Sequence, residues 1–291
     1  MNNRIHRIGK FAHKRLDRLP GDDLPPVIQR SRLLSESGMR IPVAIWDEDN
    51  NESKSPWIEG RTAGAHLAWL RSTGELSQWE DLSTAEQIRL LEPLVQLHRA
   101  DPAGLELRPL DIWHRISPRL RDDTDLSSNR KTDLIASLYT RLREHQAAFL
   151  QTYDLTSVPV HGDFHVNQII VAQQGGEPWL LDLDDMALGQ PEFDLGNFIA
   201  NLVTSADLQF DGVMQDYRVL KAMLCPAYVA HGGRLPEPNF IDFYSAVSLL
   251  RRALKFYEAG RSDPEPADIL DACETLTCQL THEGMNSDDR K

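Results

Sequence analysis

Apolar positions along the chain change their period twice. From residue 60 to residue 152 they recur every three to four residues. Ala65, Ala68 and Trp69 share a face of AGAHLAWLRSTG, and Ile88, Leu91, Leu94, Val95 and Leu97 share a broad face of TAEQIRLLEPLVQLHRA. Leu134, Leu138, Leu142 and Phe149 repeat the pattern further on. This spacing predicts helices that turn one side to a core. After Val158 the period shortens. VPVHGDFHVNQIIVAQQGGEPWLLDLDD holds two short apolar runs, IIV and WLL, on either side of the turn signal QQGGEP, which predicts a β-hairpin. Helical spacing returns at FDLGNFIANLV and runs through FIDFYSAVSLLRRALKFYEA to about Thr281. Residues 282–291 are expected to be a disordered tail.

The first 59 residues are of mixed type. Lys10 to Leu16 reads as a strand, and LPGDDLPP after it is rich in turn residues. Pro26 suits a helix start, with Val27, Ser31 and Leu34 in helical register and Gly38 at the end. MRIPVAIWD reads as a strand with an edge proline, DEDNNESK as a turn or loop, and PWIEG as a short extended piece. The expected organisation is therefore a small α+β unit over 1–59, followed by a mainly helical unit over 60–281 that carries the hairpin. No repeat interrupts it.

Composition removes several classes. Apolar residues at 41% and charged residues at 26% exclude a wholly disordered or fibrous chain. No apolar run reaches the roughly 18 residues of a membrane span. The N-terminal MNNRIHRIGKFAHKRL has charge but no apolar core, so it does not read as a secretory signal. Cys225, Cys273 and Cys278 form no CxxC pair and leave one thiol over in any disulfide scheme, which fits a reduced, cytoplasmic protein. The net charge of −13 has the wrong sign for generic nucleic-acid binding. The charge is uneven: residues 1–56 carry +2 and the remainder −15. Acidity of that size usually accompanies a soluble protein, and a cation-attracting cleft in the larger unit is the alternative reading.

Candidate chemistry lies in residues 160–197. Asp163 sits on a polar loop before the first hairpin strand. Gln168 opens that strand, and Asp182 ends its partner, followed by Asp184 and Asp185. A hairpin brings the start of one strand beside the end of the other, so Gln168 and Asp182 are expected to be neighbours with Asp163 near. Hard oxygen ligands of this kind suit Mg²⁺ held together with substrate phosphates. A separate carboxylate can orient or deprotonate a hydroxyl. His161 and His165 precede a strand instead of lying on a helix, so a two-histidine zinc site is not expected, and His161 reads as a residue that bonds backbone and holds the loop.

This stretch resembles the aminoglycoside phosphotransferase and choline kinase group, which shares the protein-kinase-like fold. His161, Gly162, Asp163 and Asp182 fall in register with its motifs. GQPEFDLGN is similar to its Gly-x-Pro-x-x-Asp-Leu segment, with Asp194 as the aspartate. LEPLVQLHRADPAGL and PWIEGRTAG resemble its Leu-His helix and its hinge. The resemblance implies a two-lobed α+β fold with a truncated N-lobe and a helical C-lobe. It implies a phosphotransferase that uses ATP or GTP with Mg²⁺, with Asp163 catalytic, Gln168 and Asp182 on the metal, and Lys14 on the nucleotide phosphates, Lys10 being the other candidate. His161 and Asp194 would support the site. Asp184 and Asp185 stand between a second-metal or substrate role and plain solvation. The acceptor would be a small hydroxyl compound, with a cation attractive on charge grounds, and neither nucleic acid nor membrane is expected as a partner.

Three departures accompany the resemblance. Gln168 stands where the family usually has asparagine, as in a branch that resembles maltose kinases, with Asn167 one residue early. Only about ten residues precede the Lys14 strand, too few for two further strands and a glycine loop. Gln29 and Arg30 stand where a glutamate partner for the lysine belongs. An inactive kinase-like scaffold is the alternative that these departures raise.

Overall fold

The computed structural model describes residues 5–15, 25–122, 130–152, 156–171 and 176–284. Four strands and one helix make the N-terminal part: β1 (Ile5–Ile8), β2 (Phe11–Arg15), α1 (Pro26–Glu36), β3 (Ile45–Asp47) and β4 (Glu52–Pro56). The sheet order is β1-β2-β4-β3, antiparallel throughout. The few residues before the Lys14 strand thus form one further strand. Gly9, at φ 61°, opens a two-residue turn between β1 and β2.

Two expectations for this region fail for physical reasons. Only Ile45–Asp47 of the MRIPVAIWD segment pairs as a strand. Pro42 has no N–H for a ladder, and Met39, Ile41 and Ala44 turn inward instead. The Ala44 N–H donates to Ser31 Oγ at 3.0 Å, and Leu180 N–H donates to Arg40 O at 2.9 Å. Conversely ESKSP, with its weak strand propensity, is an inner strand paired on both sides; its partners override the local preference.

The rest of the chain contains β5 (Arg61–Thr62), α2 (Ala63–Thr73), α3 (Thr84–His98), β6 (Arg108–Pro109), α4 (Ser117–Asp122), α5 (Arg130–Thr152), β7 (Val158–Val160), β8 (Ile169–Val171), β9 (Trp179–Leu180), β10 (Ala187–Gly189), α6 (Pro191–Val203), α7 (Val213–Ala230), α8 (Pro238–Glu258) and α9 (Pro266–Gly284). A 3-10 turn, Val166–Gln168, precedes β8. Thr62 caps α2 through Ala65 N–H, and Ser83 caps α3 through Glu86 N–H. β5, β8 and β9 form one small sheet, and β6, β10 and β7 another.

Helix α6 is apolar around most of its circumference and is buried on nearly every side, packed on α8 and α7. Leu90, Leu91 and Leu94 of α3 and Leu249 and Leu250 of α8 complete the core around it. Trp79 and Trp113 join the core, whereas Trp69 stands 40% exposed under Arg61. Helix α9 continues to Gly284, past the expected end of helical structure at Thr281. Residues 285–291, most of LPGDDLPP and residues 172–175 at the hairpin tip lie outside the described residues. No helix among the described residues is long and apolar enough to cross a membrane.

Candidate active site

Strand β7 delivers the chain into His161-Gly162-Asp163. Gly162 has φ 82°, and a Cβ there would lie 2.1 Å from Asp185 O, so only glycine fits between loop and hairpin end. Asp194, on the first turn of α6 and fully buried, holds the loop from below. It accepts from His161 N–H at 2.6 Å and Gly162 N–H at 3.1 Å. His98 Nε2 meets the same carboxylate at 3.1 Å, while His98 Nδ1 lies 2.8 Å from Tyr228 Oη. Asn197, three residues along the same helix, donates to Phe164 O at 2.8 Å. His161 donates through Nε2 to Leu181 O at 2.8 Å and accepts from Asp163 N–H at Nδ1, 3.3 Å. The loop is thereby tied to both α6 and the hairpin.

The hairpin pairs Ile169 with Leu180, which brings Gln168 and Asp182 side by side. Gln168 Nε2 lies 3.2 Å from Asp182 Oδ2. Asp182 has φ 59°, a left-handed backbone that is uncommon outside glycine and concentrates at functional sites. From the other lobe Lys14 Nζ reaches Asp182 Oδ1 at 2.8 Å and Asp184 Oδ2 at 2.5 Å. Burial lowers the lysine pKa, but the two carboxylates outweigh it and hold the pKa raised. Lys10 stays exposed on the β1–β2 turn.

The hairpin end fits Mg²⁺ by the chemistry of its donors. Among the described residues no three His, Cys, Asp or Glu side chains form a metal cluster. Two carboxylates and one amide are what an ion bound largely through phosphates and water requires. His165 Nδ1 accepts from Asn167 N–H at 3.2 Å, and burial pushes its pKa down to about 4, so Nε2 carries the proton of a neutral ring. Gln168 Nε2 lies 3.4 Å from that nitrogen, a donor facing a donor. Gln168 Nε2 donates to Asp182 Oδ2 at 3.2 Å, and turning the amide over would present Oε1 to a cation held on Asp182.

Asp163 has a different environment. Arg251 Nη2 lies 3.0 Å from Oδ1 and Arg115 Nη1 2.9 Å from Oδ2. Burial acts to raise this pKa, but the guanidinium groups of Arg251 and Arg115 outweigh it and hold the carboxyl well below the usual range. Asp185 pairs with the second amino group of Arg115. The two ambiguous carboxylates thus part company: Asp184 faces Lys14, and Asp185 faces the arginine beside Asp163.

Between the lobes lies a cavity of about 370 Å³. Ala12, Val27, Ile41, Ile170 and Leu180 supply apolar walls, and Lys14, Gln168, Asp182 and Asp184 its polar end. Pro56, Trp57, Ile58 and Gly60 form one edge. Arg30 takes the place where a glutamate partner for Lys14 was sought. It is buried and donates to Leu105 O, Glu106 O, Leu183 O and Asp184 O, binding α1 to the segment that carries Asp184.

Several contributors carry no clear signal in the sequence. Arg115 and Arg251 are 48 and 88 positions from Asp163; Arg251 lies on a stretch that reads only as helix, and Arg115 on one with no pattern of its own. His98 reads as core packing but is a polar link. Asn197 had one available sign, its spacing of three from Asp194 on an otherwise apolar helix.

No curated protein matches the sequence. Solved structures match in fold. A glucosamine kinase in complex with glucosamine, ADP and inorganic phosphate is 17% identical, with 96% of this chain and 79% of that chain covered and a TM-score of 0.64. An amicoumacin kinase in complex with AMP-PNP, Ca²⁺ and Ami is 10% identical, with 94% and 82% covered and a TM-score of 0.62. A choline/ethanolamine kinase family protein from Mesorhizobium loti is 17% identical, with 95% and 84% covered and a TM-score of 0.58. The architecture is thus protein-kinase-like, with a small sheet-rich lobe and a mainly helical one. The family model described as phosphotransferase enzyme family matches residues 6–227, a span that includes Lys14, the His161–Asp163 loop, the hairpin and Asp194. With three-quarters of its length matched, the chain belongs to that phosphotransferase family.

Proposed function

We propose that the protein transfers the γ-phosphoryl group of ATP or GTP to a hydroxyl of a small molecule. The observation that carries this reading is the meeting of Lys14 with Asp182 and Asp184 at the polar end of an otherwise apolar cavity of nucleotide size. The base and ribose would lie between the apolar walls. Lys14 would exchange one carboxylate for phosphate oxygens. Gln168 and Asp182 would hold Mg²⁺, which when bound neutralises charge on the phosphates. The acceptor oxygen bonds to the γ-phosphorus, the bond from that phosphorus to the β–γ bridging oxygen breaks, and the nucleoside diphosphate leaves. The acceptor proton passes to Asp163 late. A carboxylate held at so low a pKa is a poor base in the ground state, so its first task is to orient the hydroxyl once an arginine has given way. A scaffold that had lost catalysis would have no need to keep Lys14, Asp163 and Asp182 together.

Mg²⁺ with ATP or GTP is expected to raise the melting temperature. A ligand at 100 times its dissociation constant adds about 2.7 kcal/mol, or about 5 °C in a chain of this size. Asp182→Ala is expected to abolish that rise. If no nucleotide at millimolar concentration moves the melting curve, the reading fails.

Gln168 provides a finer test. Gln168→Ala is expected to raise the Mg²⁺ concentration for half-maximal nucleotide stabilisation, and Gln168→Asn to raise it less, because the oxygen survives on a shorter side chain. Identical half-saturation points in the three proteins would remove Gln168 from the metal.

A further inference from the structure

The α8 side of Asp163 is rich in positive charge. Arg251 and Lys255, four apart, share a face of that helix, and Arg252 stands about 100° round from Arg251. Arg115 closes on Asp163 from the segment before α4. Two carboxylates, Asp163 and Asp185, answer the two arginines 115 and 251. The other two cations differ: Lys255 is exposed to solvent and Arg252 is half-buried, and neither side chain has a hydrogen bond or ion pair among the described residues. Arg252 Nε is fully shielded from solvent and still lacks an acceptor. A shielded guanidinium donor without a partner is costly, and the half-buried side chain keeps an open edge on which an acceptor that arrives from outside could settle.

Electrostatics agree with the geometry. Burial and then the neighbouring Arg251 push the Arg252 pKa down to about 9, and burial followed by Arg252 and Arg251 lowers that of Lys255. Arg252, at about 9, remains charged at neutral pH, and Arg251 beside it repels that charge. Asp163 is the nearby carboxylate that opposes both shifts, and it is already shared by two arginines. An incoming anion would relieve the repulsion, satisfy Arg252, and compete for the arginines that occupy Asp163. A cationic acceptor, favoured by the −15 charge of the larger part of the chain, would meet four cations at this point. Net charge over 235 residues does not predict the field at one helix flank.

We propose that the acceptor carries an anionic group, a phosphate or a carboxylate, which Arg252 and Lys255 bind beside the hydroxyl that Asp163 orients. The proposal rests on the phosphotransferase reading for the identity of the hydroxyl but not for the anion site itself.

The test uses the full chain and melting curves at constant ionic strength, with and without saturating Mg²⁺ and AMP-PNP. Inorganic phosphate is the first probe. Glucose 6-phosphate, glucuronate, glucose and glucosamine follow as a series of one ring with different charge. Phosphate is expected to stabilise the nucleotide-bound protein saturably at millimolar concentration. Arg252→Ala and Lys255→Ala are each expected to raise the half-saturating phosphate concentration about tenfold, the loss of one charge-assisted contact. The nucleotide-induced shift should be the same in both variants as in the parent. Stabilisation by glucose 6-phosphate and not glucuronate assigns a phosphate-bearing acceptor, and the converse assigns a carboxylate. The proposal is overturned if no anion stabilises the protein, if both variants bind phosphate as the parent does, or if glucosamine stabilises where the anions do not. Failure of the nucleotide reading shows separately, as no shift from Mg²⁺ and AMP-PNP alone. In that event the phosphate response of parent against Arg252→Ala still decides the anion site.

Discussion

Asp163→Asn is expected to lower turnover by about 10²–10⁴ while leaving both the melting temperature and the Mg²⁺–nucleotide shift close to those of the parent. The fold should survive because each neighbour of Asp163 keeps a second partner. Arg115 retains Asp185, and Arg251 retains Asn197 Oδ1 at 3.3 Å. The backbone N–H of residue 163 still donates to His161 Nδ1. What is lost is a charged oxygen that can hold a hydroxyl and take its proton. Asparagine presents an oxygen and an amide nitrogen, and it accepts no proton. The parent's pH profile follows from the same contacts. Asp163 is held below the usual carboxylate range, so it stays ionised until the pH falls through that depressed value. Any loss of turnover between pH 5 and 7 must then come from another group. The measurement is kcat, KM for nucleotide and melting temperature, once an acceptor is in hand. Turnover equal to the parent removes Asp163 from the chemistry. A collapse of the fold instead assigns it a structural role.

Much of this architecture was legible because it rests on local rules. The period change at Val158, the turn signal before Trp179, and the glycine between His161 and Asp163 each have one economical structural solution. The hairpin register then follows, and with it the contact between Gln168 and Asp182. What escaped notice depends on distance in the chain. β4 is an inner strand because β2 and β3 lie on both sides of it, not because ESKSP favours extension. Arg251 reaches Asp163 only through the packing of α8 against α6, and Arg115 only through the placement of the segment before α4, neither of which periodicity encodes. The local charge at Asp163, where Arg115 and Arg251 meet its two oxygens, is likewise set by packing and is not read from net charge.

Asp194→Ala is expected to be the most destabilising single substitution near the site, at about 3–5 kcal/mol and a fall in melting temperature of about 10 °C. The carboxylate is fully buried and does three jobs at once. It accepts the His161 and Gly162 N–H groups and faces His98 Nε2. Alanine orphans two backbone donors and one ring nitrogen in a space that water does not reach, and each such group carries its own desolvation cost. Asp194→Asn divides the effect. Two of the three donors, His161 N–H and His98 Nε2, lie on Oδ2, and only Gly162 N–H lies on Oδ1. The asparagine oxygen will therefore take the Oδ2 position and leave its nitrogen facing Gly162 N–H. One unsatisfied donor costs about 1–3 kcal/mol, so the asparagine variant should melt between parent and alanine variant. Turnover should fall in both variants even at temperatures where they remain folded. The loop keeps only the bonds of Asn197 to Phe164 O and of Val166 N–H to Asn201 as tethers to α6 among the described residues, both beyond Asp163, and a displacement of about 1 Å in a group that positions a reactant costs about 10² in rate. Thermal unfolding of the two variants, with kcat measured well below their melting temperatures, checks both parts. If alanine and asparagine melt together within about 1 kcal/mol of the parent, Asp194 does not hold the loop, and the buried contacts to His161 and Gly162 are replaceable by packing alone.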